Sequence, residues 1–264
     1  MRLPSFVMIV AVLMSCAANA QPDNSLTSVV ADPARSANFV ARDGARHPVE
    51  ELTFFDIKPN MTVVELWPGG GYWTEILGPY LSAHGHYVVA FPPTSDEPEV
   101  DDAWHKRVHD QGKRLGKIRE VIAGPGHLDF VPANSADRVL TFRNLHNWMD
   151  GGYAEDMLKA AFRALKPGGI LGVEAHRGRT DRPQDPKAAD GYVREDYAIA
   201  LAEKAGFKLI GKSEINANSR DTKDWVDGVW TLPPTLSQKD KDRTRYIAIG
   251  EADNFVLKFQ KPRH

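Results

Sequence analysis

Three groups of chemically capable residues stand out in this chain of 264 residues, two of them at the ends of apolar runs. The first is a corner of bare backbone. Leu66-Trp67-Pro68-Gly69-Gly70-Gly71 follows the short β-branched run from Met61 to Leu66. Glycines at such a corner let the chain turn tightly and let a ligand approach without meeting a Cβ, and the helix that follows offers unpaired N–H groups at its start. A plain strand-to-helix turn uses the same residues. The second group is Asn144 and His146 after one apolar run, with His176 and Arg177 after another. An imidazole at a strand end suits a general base or a substrate contact, and His146 is the first candidate, with Asn144 beside it. The competing readings are a histidine bonded to loop backbone and a turn asparagine. His176 and Arg177 suit either an anionic substrate group or a strand-end cap. The third group is His105 and His109, whose spacing of four on a helix can place two imidazoles on one metal. Asp101, Asp102, Lys106, Arg107 and Asp110 flank them as on a solvated face, so no metal site is expected. There is no Gly-x-Ser-x-Gly, zinc-cysteine pattern or Lys-Ser/Thr phosphate loop, which argues against esterase, zinc and nucleotide-triphosphatase chemistry. A nicotinamide fingerprint starting at Gly69 would need glycine or alanine where Thr74 stands.

The elements that must position these residues alternate in type. Strands are expected at Met61–Leu66, Tyr87–Phe91, Ile118–Ile122, Asp137–Phe142, Ile170–Ala175, Phe207–Ile215 and Asn254–Gln260. Helices are expected at Tyr72–Ala83, Val100–Leu115, Tyr153–Leu165 and Tyr192–Ala205, with a helix-like pattern interrupted by Pro48 over Ser36–Asp56. Short apolar strands alternating with helices predict a doubly wound α/β fold, a mostly parallel seven-stranded sheet with helices on both faces. The stretch 216–253 is too long for a plain loop and is expected to form a lid or small extra layer. Residues 21–36 are polar without a sustained period and read as a flexible leader, with the folded domain over 37–264.

Composition sets the outer bounds. Lys and Arg number 33 against 35 Asp and Glu, a net charge of −2, so the basic surplus expected of a nucleic-acid binder is missing. Arg2, the apolar stretch Phe6–Ala18 and the small residues of Ala18-Asn19-Ala20 form a three-part secretory signal over 1–20, too short in its apolar core to anchor a helix in a bilayer. Cleavage after Ala20 would place the protein in the periplasm or outside the cell and remove the one cysteine, Cys16. The rival reading is a lipobox, Leu13-Met14-Ser15-Cys16, with Cys16 lipidated.

Three segments share a family likeness. Val63 to Gly71 resembles the first motif of class I S-adenosylmethionine (SAM)-dependent methyltransferases, an acidic residue followed by alternating glycines. Pro132 to Leu140 resembles their fourth-strand motif, and Leu165-Lys166-Pro167-Gly168-Gly169-Ile170-Leu171 their helix-to-fifth-strand signature. The order and spacing are the family's. The finer pattern, including Arg46-His47-Pro48, Phe142 to Trp148, Glu174 to Arg177, Ser213 to Asn218 and Val229 to Pro234, is similar to a subgroup of signal-peptide-bearing methyltransferases of unassigned substrate.

The resemblance implies SAM as cofactor and a small molecule as methyl acceptor. Glu65 would hold the methionine end, Gly69 and Gly71 would let the backbone pass close to the cofactor, and Trp67, Tyr72 and Asp129 would complete its contacts. Three departures accompany it. Trp67 stands at the first glycine of the motif, Phe91 where a ribose-binding carboxylate ends the second strand, and Pro125-Gly126 where an aspartate lies near the adenine, leaving Asp129 as a shifted substitute. The alternative is an exported, non-catalytic ligand-binding protein that keeps the fold.

Overall fold

The computed structural model describes residues 25–93 and 98–263. The expected signal peptide and Cys16 lie outside the described residues. In chain order the elements are α1 (Leu26–Val30), α2 (Ala37–Val40), α3 (Asp43–Arg46), α4 (Pro48–Phe54), β1 (Thr62–Leu66), α5 (Thr74–Leu81), β2 (His86–Phe91), α6 (Pro98–Gln111), β3 (Ile118–Ile122), β4 (Ala136–Phe142), α7 (Leu145–Asp150), α8 (Ala154–Ala164), β5 (Leu165–His176), α9 (Glu195–Lys204), β6 (Lys208–Ser213), α10 (Arg243–Ile249) and β7 (Asn254–Gln260). The strands form one seven-stranded sheet in the order β3-β2-β1-β4-β5-β7-β6. All neighbours are parallel except β7, which runs antiparallel to β5 and β6.

The expected α/β architecture is therefore observed, and its cause is visible in β1. Val64 and Leu66 pack in one apolar layer with Met157, Leu158 and Ala161 of α8. Val63 packs in the opposite layer with Ile76 and Leu77 of α5. Successive side chains point to opposite faces, and both faces are covered, so a parallel strand reads as an unbroken apolar run. The sheet order reverses between β1 and β4, which places the expected ligand crevice beyond their C-terminal ends.

Two expectations need correction. The leader at 21–36 is folded from Ser25 onward. Ser25 caps α1 by accepting from the Ser28 N–H at 3.2 Å, and Val29 is buried. The buried Arg35 grips Asp43 at 2.6 and 2.9 Å, and the Ser36 N–H donates to Glu75 at 2.7 Å. A five-residue helix carries too few apolar positions to show a period, so its stripe of Leu26, Val29 and Val30 passes for polar coil. The helix-like pattern over Ser36–Asp56 is three short helices, because His47 takes a left-handed conformation (φ 40°) and Pro48 opens α4.

The 216–253 stretch forms an extra layer with its own small core of Val229, Leu232, Tyr246 and Ala252 against Tyr192. Its anchor is Asp221, buried, which accepts from Tyr192 Oη at 2.9 Å, Trp225 Nε1 at 2.7 Å and the Lys223 and Asp253 N–H groups at 3.0 and 2.8 Å.

Candidate functional site

At the switch between β1 and β4 lies a cavity of about 550 Å³. Its floor is the glycine corner and the ends of β1, β4 and β5. Arg42 and Arg46 from the N-terminal helices close one side, and Val229, Trp230 and Pro233 from the extra layer close the other.

The glycine corner is built as the sequence implies. Trp67 and Gly69 both adopt left-handed backbone, at φ 55° and 54°, and a Cβ placed on Gly69 or Gly70 would point into open space. Asn144 braces this corner. Its Nδ2 donates to the carbonyls of Leu66 at 3.0 Å and Trp67 at 3.1 Å, and lies 3.3 Å from Thr141 Oγ1. Asn144 lines the cavity, and its amide donors are committed to the corner, which it holds in position. Trp67 Nε1 donates to the Ala123 carbonyl at 2.9 Å, turning the indole aside over the end of β3 and against Trp148 and Tyr153. The ring walls the cavity without filling it.

Glu65, next to last in β1, is buried and lines the cavity while accepting a hydrogen bond from the Tyr87 hydroxyl. Burial raises its carboxyl to about 7, against the opposing effect of that bond. Tyr72 stands at the cavity edge with its hydroxyl donating to Asp43 at 2.7 Å and its ring under the Arg46 guanidinium at 4.4 Å. Gly71 is displaced from its expected role: an added Cβ would lie 2.9 Å from Trp104 Cδ1, so its missing side chain admits α6 and not a cofactor. Asp129 is a second correction. Its side chain is 88% exposed and paired with Arg163 at 2.9 Å, away from the cavity lining. Phe91 lies buried beneath α6, edge-on to Trp104 and stacked on His105.

His146 is buried in the cavity wall beside His176 and Trp230. Burial, then the charge of Arg143, lowers its pKa to about 4, and its Nδ1 is buried without a hydrogen-bond partner. It is a neutral imidazole at pH 7. His176 is likewise pushed down, by burial first and then by Arg143 and His146, and its Nδ1 meets Asn254 Oδ1 at 2.7 Å. Arg177 is spent on Glu195, Glu214 and Asp253 as a strand-end clamp. His105 and His109 are exposed beside Glu120 and Asp110, and among the described residues no cluster of three potential metal ligands occurs.

Sequence reasoning left out the electrostatic frame behind the cavity. Glu251, buried, accepts from Arg42 at 2.6 and 2.9 Å and from Arg143 at 2.6 Å, with Arg46 Nε at 3.6 Å. Burial would raise this carboxyl, but Arg143 and Arg42 hold it below its ordinary value. Behind it, Asn216 Nδ2 bridges two buried carboxyls, Glu51 at 2.7 Å and Glu174 at 3.0 Å. Burial, then the charge of Glu174, pushes Glu51 well up. Burial likewise raises Glu174 to about 7. Arg46-His47-Pro48 and Ser213–Asn218 were visible as pattern; that Arg46 and Asn216 meet the same network was not, because the partners lie far apart in sequence.

No family model matches the chain, and no curated protein matches it. Solved structures do resemble it. A SAM-dependent methyltransferase from Aquifex aeolicus superposes with TM-score 0.57 at 15% identity, over 90% of this chain and 98% of that one. The [4+2]-cyclase SpnF gives TM-score 0.57 at 14% identity over 90% and 92%. A SAM-dependent methyltransferase from Methanosarcina mazei gives 0.54 at 14% over 81% and 98%. At these identities the likeness is one of fold, the Rossmann-like fold of class I methyltransferases, and the cyclase shows that proteins sharing this fold do not share one reaction.

Proposed function

We propose that the protein is a SAM-dependent methyltransferase acting on a small molecule, with SAM seated at the β1–β4 switch. The observation that carries the reading is Glu65, a buried acidic residue near the end of β1 that lines the cavity together with the open Gly69–Gly70 backbone. The residues fit the amino-acid end of SAM: Glu65 faces its ammonium, and the bare corner lets the backbone approach. At the ribose end the described residues offer the Trp67 indole in the cavity lining. SAM supplies the electrophilic methyl group, and the protein's part is to orient the acceptor and exclude water. The aromatic walls Trp67, Phe142 and Trp230 do the second. His146, a neutral imidazole in the cavity lining, orients the acceptor by contact; at a pKa of about 4 it is too weak to hold a full proton at pH 7.

The reading includes export, supported by the sequence signal at 1–20. Titration calorimetry of the purified mature protein tests the cofactor: micromolar binding of SAM is expected, with none of NAD, and Glu65→Ala should weaken SAM by about tenfold or more. Absence of SAM binding would leave the second reading, an exported non-catalytic binding protein, which the burial of Phe91 under α6 favours.

A further inference from the structure

The side of the cavity formed by the N-terminal helices has a charge the cofactor does not answer. Arg46 is 3% exposed, and its Nε is buried without a hydrogen-bond partner. Among the described residues its guanidinium meets the Tyr72 ring and, at 3.6 Å, Glu251. Glu251 is already engaged by Arg42 and Arg143. Three guanidiniums thus share one carboxylate on one wall. A guanidinium carries five N–H donors in a planar fork, and burying it without acceptors is unfavourable. The fork suits a two-oxygen anion such as a carboxylate or a phosphate.

SAM does not balance this wall. It carries a sulfonium, an ammonium and one carboxylate, so its binding adds net positive charge to the same cavity. Among the described residues Glu65 is the one carboxylic residue that lines the cavity, and the proposed site gives it to the ammonium of the cofactor. The remaining space is walled by Phe142, Trp67 and Trp230.

We propose that the methyl acceptor is a small anion, a carboxylate- or phosphate-bearing compound with an apolar body, held by Arg46 with Arg143 beside it. This rests on the cofactor reading above. The test uses phenyl phosphate and benzoate as probes, titrated into protein saturated with S-adenosylhomocysteine, which blocks turnover. Phenyl phosphate is expected to bind, to weaken as salt is raised, and to weaken by about tenfold or more in Arg46→Met, with part of the affinity kept in Arg46→Lys. Arg46 packs on Tyr72, so Arg46→Met could fail to fold; Glu251→Gln reads the same charge in the opposite direction and should tighten phenyl phosphate several-fold. The proposal is overturned if neither probe binds the wild-type protein, or if affinity is indifferent to both variants. It is also overturned if Arg46→Met weakens S-adenosylhomocysteine but not phenyl phosphate, which would assign the guanidinium to the cofactor's own carboxylate. Binding of phenyl phosphate to unliganded protein with the same Arg46 dependence, in the absence of any S-adenosylhomocysteine binding, would sink the cofactor reading and keep the anion site.

Discussion

Replacing Glu65 by glutamine separates the cost of this carboxyl from its use. In the unfolded chain it titrates near the ordinary 4.5, and in the folded protein burial holds its proton on to about 7. A raised native value means that the stabilisation is fully present below about pH 4.5 and is lost as pH climbs through about 7. The interval corresponds to about 3 kcal/mol. The substituted amide keeps an acceptor for the Tyr87 hydroxyl and never ionises. Unliganded Glu65→Gln should therefore match the wild type near pH 4 and exceed it by about 3 kcal/mol at pH 8. For a domain of this size that is a rise in midpoint of about 6–12 °C, since each kcal/mol moves it by about 2–4 °C. Glu51 and Glu174 titrate in the same direction but are present in both proteins, so they cancel in the difference. Thermal unfolding of the pair across this pH range is the assay. The same variant should bind SAM about ten- to a hundredfold more weakly, having lost a charge-assisted bond to the ammonium. A stability difference that does not change with pH would refute the burial argument. A gain in stability with unaltered SAM affinity would refute the ligand role.

Three further substitutions probe the frame. Asn144→Ala leaves the Leu66 and Trp67 carbonyls without their donor and should cost about 2–4 kcal/mol in denaturant unfolding; unchanged stability would show that the corner holds its shape unaided. Asp221→Asn turns an N–H₂ toward donors that now share one carboxylate, so hydrogen exchange within 216–253 should accelerate while β1 and β4 keep their protection. Gly228 has φ 54°, and a Cβ there would stand 2.0 Å from the Asp190 carbonyl oxygen, so Gly228→Ala should lower the unfolding free energy by about 2–4 kcal/mol.

What the sequence revealed and what it hid divide along physical lines. The inner strands were legible because burial on both faces makes them runs rich in β-branched and apolar residues, as Val63 to Leu66 shows, while the edge strands β3 and β6 interleave exposed positions. The corner at Gly69 was legible because its backbone conformation favours one residue type. Glycine alone did not reveal purpose: Gly69 opens on the cavity, while Gly71 makes room for Trp104. Asp129 entered the expected site only through the family resemblance, as a shifted substitute, and a loop side chain 88% exposed need not keep a family's register. Asn144 sat where expected but faces backbone carbonyls, a matter of side-chain direction that sequence does not carry. The folded segment at 25–36 escaped notice because its stability comes from distant groups, Asp43 and Glu75, and not from its own period.

The charged frame was the least legible part and says most about use. Glu251 ties Arg42 to the edge of the sheet across 209 positions of chain, and Arg143 across 108. Stability alone gives little reason for such a cluster, because a buried ion group of this kind is often matched or bettered by apolar residues of similar volume. Removing one partner is a different matter, since it strands the others, so the cluster is costly to build and costly to break. Its imbalance is informative. A purely structural network would pair each guanidinium with an acceptor, as Arg35 is paired with Asp43 and Arg107 with Glu75. On the cavity wall the count stops at one carboxylate for three cations, and the guanidinium left over, Arg46, is the one with no hydrogen-bonded acid of its own. The N-terminal helices are thus fastened to the sheet by the same group that leaves the cavity positive, which couples the attachment of these helices to the arrival of an anion.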